Sequence, residues 1–127
     1  MRRANGLLAV LAAVTAAGCG ATPPQPPKAR ANQLNTATGG ISTACGLSDQ
    51  VLAFPGDHEP DLKTLEATAA SNVRLLLSVY QRNPSWIFYG DTVRELVKDS
   101  ITMLQSCGLG GASGPLVKAV SRRRRLG

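Results

Sequence analysis

DLKTLEATAASNVRLLLSVYQR, Asp61 to Arg82, places Leu62, Leu65, Ala69, Val73, Leu76 and Tyr80 at spacings of 3, 4, 4, 3 and 4. That spacing makes one apolar stripe on an α-helix. Pro60 suits a helix start because its missing N–H has no intrahelical partner there, and Asp61 complements the positive helix N-terminus. At the far end Pro84 restricts Asn83 away from helical geometry. The stretch predicts a helix packed against other helices, and its neighbours agree.

Downstream, Thr92-Val93-Arg94-Glu95 matches a Thr-x-x-Glu capping box, in which two side chains satisfy backbone donors at a helix start. Val93, Leu96 or Val97, Ser100 or Ile101, Leu104 and Cys107 continue a stripe, and Gly108 is placed to end it in a left-handed turn. Upstream, Leu34, Ala37 or Thr38, Ile41, Cys45, Ser48 and Leu52 keep the same spacing. Gly39 and Gly40 each cost about 1 kcal/mol relative to alanine inside a helix, which predicts a kink or two pieces meeting there. No alternating strand pattern competes. The expected fold is all-α, a small antiparallel three-helix bundle, or four pieces if the first helix breaks.

The N-terminus carries an address. Arg2 and Arg3 precede Leu7 to Ala17, an uncharged apolar run, and then Gly18 and Cys19. These are the three parts of a secretory signal peptide, expected over residues 1–18. As a helix the run would span about 17 Å against about 30 Å of bilayer hydrocarbon, too short for a permanent span. Ala16-Ala17-Gly18-Cys19 resembles the lipobox of bacterial lipoproteins, a resemblance covering the first 19 residues only. It implies that Cys19 becomes the first mature residue and carries acyl chains such as palmitate, which anchor the protein durably. Ala16 stands where leucine is most common in that motif, which leaves ordinary cleavage after Ala16 or Ala17 open.

Cysteine arithmetic points the same way. There are three cysteines, and an odd thiol in an exported protein needs a use. With Cys19 acylated, Cys45 and Cys107 remain, both on inward helix faces in an oxidising compartment, and should form one disulfide that closes the bundle.

Residues 19–32 hold Pro23, Pro24, Pro26 and Pro27 and read as a lipidated cysteine followed by a polyproline-like tether. Residues 33–108 are the expected helical domain. Residues 109–127 read as a Gly-rich linker and a basic tail ending in Arg122, Arg123, Arg124 and Arg125.

Net charge over the 127 residues is +6, but it is unevenly placed. Residues 31–107 hold five basic against eight acidic residues, a balance of −3, and the other nine basic residues lie at the ends. The chain from Cys19 onward has twelve basic against eight acidic residues, +4. Export and the lack of a basic groove argue against nucleic acid as a partner. Anionic lipid head groups or acidic wall polymers suit the arginine run better, against the alternative of a solvated tail.

Three further features invite a functional reading. Trp86, Phe88 and Tyr89 lie in a block that is either an exposed contact patch for an envelope protein or a plug for one end of the bundle. Asp57-His58-Glu59-Pro60-Asp61 gathers the single histidine with carboxylates, yet on a turn and not on one helical face, so no metal site is expected. Gly108 to Gly114 lacks the Gly-Lys-Ser/Thr ending of a phosphate loop and follows a helix where such a loop follows a strand. No catalytic constellation is legible: there is no Gly-x-Ser-x-Gly elbow, no Cys-x-x-Cys pair, and Glu66 and Glu95 are marked by nothing beyond their charge. Neither a catalytic residue nor a cofactor is expected. The reading is an exported protein lipid-anchored at Cys19 to a cell or outer membrane, its domain outside the cytoplasm as a binding or structural module. A small hydrolase-like envelope enzyme and a soluble secreted factor are the alternatives.

Overall fold

The computed structural model of the chain describes residues 24–53 and 61–126, with the side chains of 124–126 left out. Four helices account for most of it: α1 Lys28–Ala53, α2 Leu62–Arg82, α3 Val93–Ser106 and α4 Gly114–Leu126. A short 3-10 turn, Gly110–Ser113, leads into α4. Between α2 and α3 two two-residue strands, β1 Ile87–Phe88 and β2 Asp91–Thr92, pair antiparallel with Ile87 opposite Thr92 and Phe88 opposite Asp91.

The stripe of α2 buries as its spacing predicts, with Leu65, Ala69, Val73, Leu76 and Tyr80 all in the core. Asp61 caps it: the Thr64 amide donates to Asp61 Oδ1 at 2.9 Å. Against α2 lies α1, antiparallel, where Gln33 Nε2 donates to the Leu75 carbonyl at 2.9 Å. Leu34, Ala37, Ile41, Ala44, Cys45 and Ser48 supply its buried face, while Leu52, expected on that stripe, is 52% exposed beyond the end of the core. In α3 the buried set is Val93, Val97, Ser100 and Leu104. Cys45 and Cys107 are bonded, their Cα atoms 5.4 Å apart, so the last turns of α1 and α3 meet at one end. Ser48, fully buried there, donates to the Cys107 carbonyl at 2.7 Å and satisfies a helix-end acceptor beside the disulfide.

Helix α1 runs unbroken through Gly39 and Gly40, contrary to the expected kink. The two glycines differ in surroundings. A Cβ on Gly39 would meet nothing, whereas one on Gly40 would overlap the side-chain amide of Asn72, which lies over Gly40 from α2. Gly39→Ala is therefore expected to add about 1 kcal/mol of helix propensity and raise the melting temperature by roughly 4–8 °C. Gly40→Ala is expected to lower it, because Asn72 must leave its 3.0 Å bond to the Thr68 carbonyl. Thermal melts of the two variants check this, and equal gains would contradict the close approach.

The largest departure is at the C-terminal end. Residues 109–127 are not a linker and tail: within them Leu109, Ala112, Leu116 and Ala119 are core residues. Gly108, at φ 86°, ends α3 in the left-handed region that the sequence predicts. The Leu109 amide then bonds back to the Leu104 carbonyl at 2.9 Å, a Schellman closure that turns Leu109 into the core. From there the spacings 3, 4 and 3 carry the buried stripe into α4. The expected three-helix bundle is thus a four-helix one.

The predicted capping box of α3 is present. The Glu95 amide donates to Thr92 Oγ1 at 3.1 Å, and the Thr92 amide donates to Glu95 Oε1 at 2.8 Å. That bond from the Thr92 amide holds the Glu95 carboxyl below its ordinary value, as the Thr64 amide does for Asp61. Because the folded chain favours both charged forms, their stabilisation is complete above the unfolded carboxylate range and is lost as pH falls through the lowered folded values. Melting temperature should therefore decline as the pH drops below the ordinary glutamate value of 4.5, and less steeply in Glu95→Gln. Identical slopes in the two proteins would remove Glu95 from the account.

Candidate functional site

The proline segment does not run free as far as residue 32. The Ile87 amide donates to the Pro24 carbonyl at 2.8 Å, Pro26 is half-buried, and the Pro27 carbonyl accepts the first bonds of α1 from Arg30 and Ala31. Proline suits these places because it needs no donor partner and holds an extended backbone before the helix. Residues 24–32 of the expected tether therefore belong to the fold, which they join at the aromatic corner; residues 19–23 lie outside the described residues.

At that corner the aromatic block divides. Trp86 and Phe88 are half-buried and pack against the core, closing one end of the bundle. Tyr89 is 85% exposed at the tip of the hairpin, edge-on to Phe88 with ring centroids 4.6 Å apart. Its φ of 51° lies in the left-handed region, where Asn or Gly is the ordinary choice, and Gly90 follows at 87°. The turn therefore holds a large ring outward at some backbone cost.

Helix α4 reaches the same end. The Arg123 guanidinium lies 5.2 Å from the centre of the buried Tyr80 ring, in the last turn of α2. Stacking of this kind contributes about 0.5–1 kcal/mol at exposed sites. Arg122 lines, with Leu77, Gln81, Pro115 and Lys118, an open groove of about 380 Å³ between α2 and α4. Arg124 and Arg125 continue the helix, but their side chains lie outside the described residues. The backbone of the arginine run is therefore helical, and Arg122 and Arg123 lie against α2 and are not part of a loose tail.

Chain direction gathers the charge. The corner end holds the first turns of α1 and α3 and the last turns of α2 and α4, and so Lys28, Arg30, Arg82, Arg94, Arg122 and Arg123. Two acidic residues share that end, Asp91 and Glu95, leaving +4 among the described side chains. Among the described residues, Asp49, Asp61 and Glu66 lie around the disulfide end against Lys63, or −2. The domain is polarised along its long axis.

The remaining sites read from the sequence fare differently. Cys45 and Cys107 are joined at the acidic end. Cys19 lies outside the described residues, as do Asp57, His58 and Glu59 of the acidic turn. Among the described residues no group of three or more His, Cys, Asp or Glu side chains is placed to hold a metal ion, and no helix is long and apolar enough to cross a membrane. Ser48 and the Tyr80–Arg123 pair went unread as interactions, since no local pattern marks a contact between distant helices. No family model, no curated protein and no solved structure matches the chain.

Proposed function

We propose that this chain is an exported lipoprotein, held by acylated Cys19 on the outer face of a cell-envelope membrane, whose helical domain is a binding or structural module. The observation that carries this reading is the use of the cysteines. Cys45 and Cys107 pair within the core, which leaves Cys19 as the odd thiol, at the point where a signal peptide of the lipobox type would be cut. Attachment of the Pro24 carbonyl to the Ile87 amide supports it further, because it brings the described fold to within five residues of that cysteine.

Metabolic labelling with a fatty acid tests the reading. The wild-type chain should take up label and partition into detergent, and Cys19→Ala should do neither while keeping its fold. Equal labelling of the two chains would place the acyl group on another residue and remove Cys19 from the reading; no label in either would favour a soluble secreted factor.

A further inference from the structure

We propose that the corner end of the domain is a docking surface for an anionic lipid bilayer, built from all four helices and aimed by the short connection to Cys19. The orientation rests on the anchoring at Cys19 proposed above; the affinity of the surface does not.

Three observations carry the inference. First, the basic residues of the corner end come from elements far apart in sequence and converge only in the fold, and five of the six side chains, all but half-buried Arg30, are exposed. Charge complementarity thus belongs to a surface and not to a tail. Second, the connection is short. Five residue steps separate Cys19 from Pro24, and at about 3.3–3.6 Å per step the Pro24 attachment can stand at most about 18 Å from the anchor. A free tether through residue 32 would have allowed roughly 40 Å at about 3.1 Å per residue. Both distances exceed the Debye length of about 8 Å in physiological salt, so attraction acts only when the corner comes close to the bilayer; the shorter connection confines the corner to within about two Debye lengths of its anchor, and the longer one would not. Third, Tyr89 projects from the same end on a strained turn, and tyrosine rings settle at head-group level with an apolar body and a polar tip. A lipid chain reinforced by a basic patch is a durable form of attachment. The acidic disulfide end then faces away from the bilayer, open to other envelope components.

The test uses the chain from residue 19 onward with Cys19→Ser, which keeps every core residue, Leu34 to Ala119, and carries no acyl group. Its outcome is therefore independent of whether Cys19 is lipidated. Co-sedimentation with vesicles of phosphatidylglycerol and phosphatidylcholine, and with phosphatidylcholine alone, should show binding to the first only. Replacing Lys28, Arg82 and Arg94 by serine should weaken that binding about 100-fold, at about fivefold for each basic residue near an anionic surface. Replacing Lys63, Arg74 and Lys98 by serine removes the same charge elsewhere and should change binding far less. Tyr89→Asn suits the left-handed turn better, so its fold is kept, and it should weaken binding again. Equal losses from the two triple variants would reduce the effect to net charge and overturn the proposal. Absence of vesicle binding would overturn it too, as would binding to soluble polyphosphate without binding to vesicles, which would assign the surface to an anionic polymer.

Discussion

Reduction of the Cys45–Cys107 bond is expected to lower the melting temperature by roughly 15–30 °C. The bond closes a loop across a sequence separation of 62, for which the chain-entropy relation gives about 4 kcal/mol of destabilisation removed from the folded state's competitor, the unfolded ensemble. A domain of about 100 residues has only about 5–15 kcal/mol in all, and each 1 kcal/mol shifts its melting by about 4–8 °C. Reduction also relaxes the end of the bundle where Ser48 bonds to the Cys107 carbonyl, so the last turns of α1 and α3 should lose amide-exchange protection first. Thermal melts with and without excess reductant measure the effect. Unchanged melting would mean that helix packing alone holds this end.

Removal of residues 109–127 is expected to unfold the domain. It takes Leu109, Ala112, Leu116 and Ala119 from the core and exposes Tyr80, which Arg123 covers. Truncating a single buried leucine to alanine costs about 2–5 kcal/mol, so losing Leu109 and Leu116 together is comparable to the whole stability. Leu116→Ala is the milder test, with a fall of at least about 8 °C at the lower cost. Circular dichroism of the truncated chain separates the alternatives: a native-like melt would restore the linker reading.

That second prediction turns on what was legible in the chain. Elements with uninterrupted spacing, α2 above all, could be read residue by residue, and the Thr92–Glu95 box and the stop at Gly108 are local signals that need no tertiary context. The C-terminal helix was hidden by its own glycines. Gly108, Gly110, Gly111 and Gly114 suggest a linker, yet the 3, 4 and 3 spacing of Leu109, Ala112, Leu116 and Ala119 runs through them and marks the buried stripe. Gly39 and Gly40 misled in the same way, since the propensity cost that predicts a break at Gly40 is offset by the close packing it permits against Asn72. Pro24, Pro26 and Pro27 suggest a spacer because composition reports backbone stiffness and says nothing of the hydrogen bond from the Ile87 amide.

The candidate surface was legible only in pieces. Arg122 to Arg125 and the aromatic block stand out in the sequence, but Lys28, Arg82 and Arg94 acquire meaning through chain direction, which brings the ends of four helices together. Charge summed along the chain gave a mildly acidic middle with basic ends. In the fold Lys28, Arg30, Arg122 and Arg123 from those ends join Arg82 and Arg94 at one pole, and the basic character of the described domain becomes directional.

Anchoring at Cys19 is the claim on which the rest of the functional account depends. Its most direct test is the mass of the N-terminal peptide of the mature protein recovered from the envelope fraction. The account predicts a peptide that begins at Cys19 and carries acyl chains; an unmodified peptide beginning at Ala17 or Gly18 would contradict it.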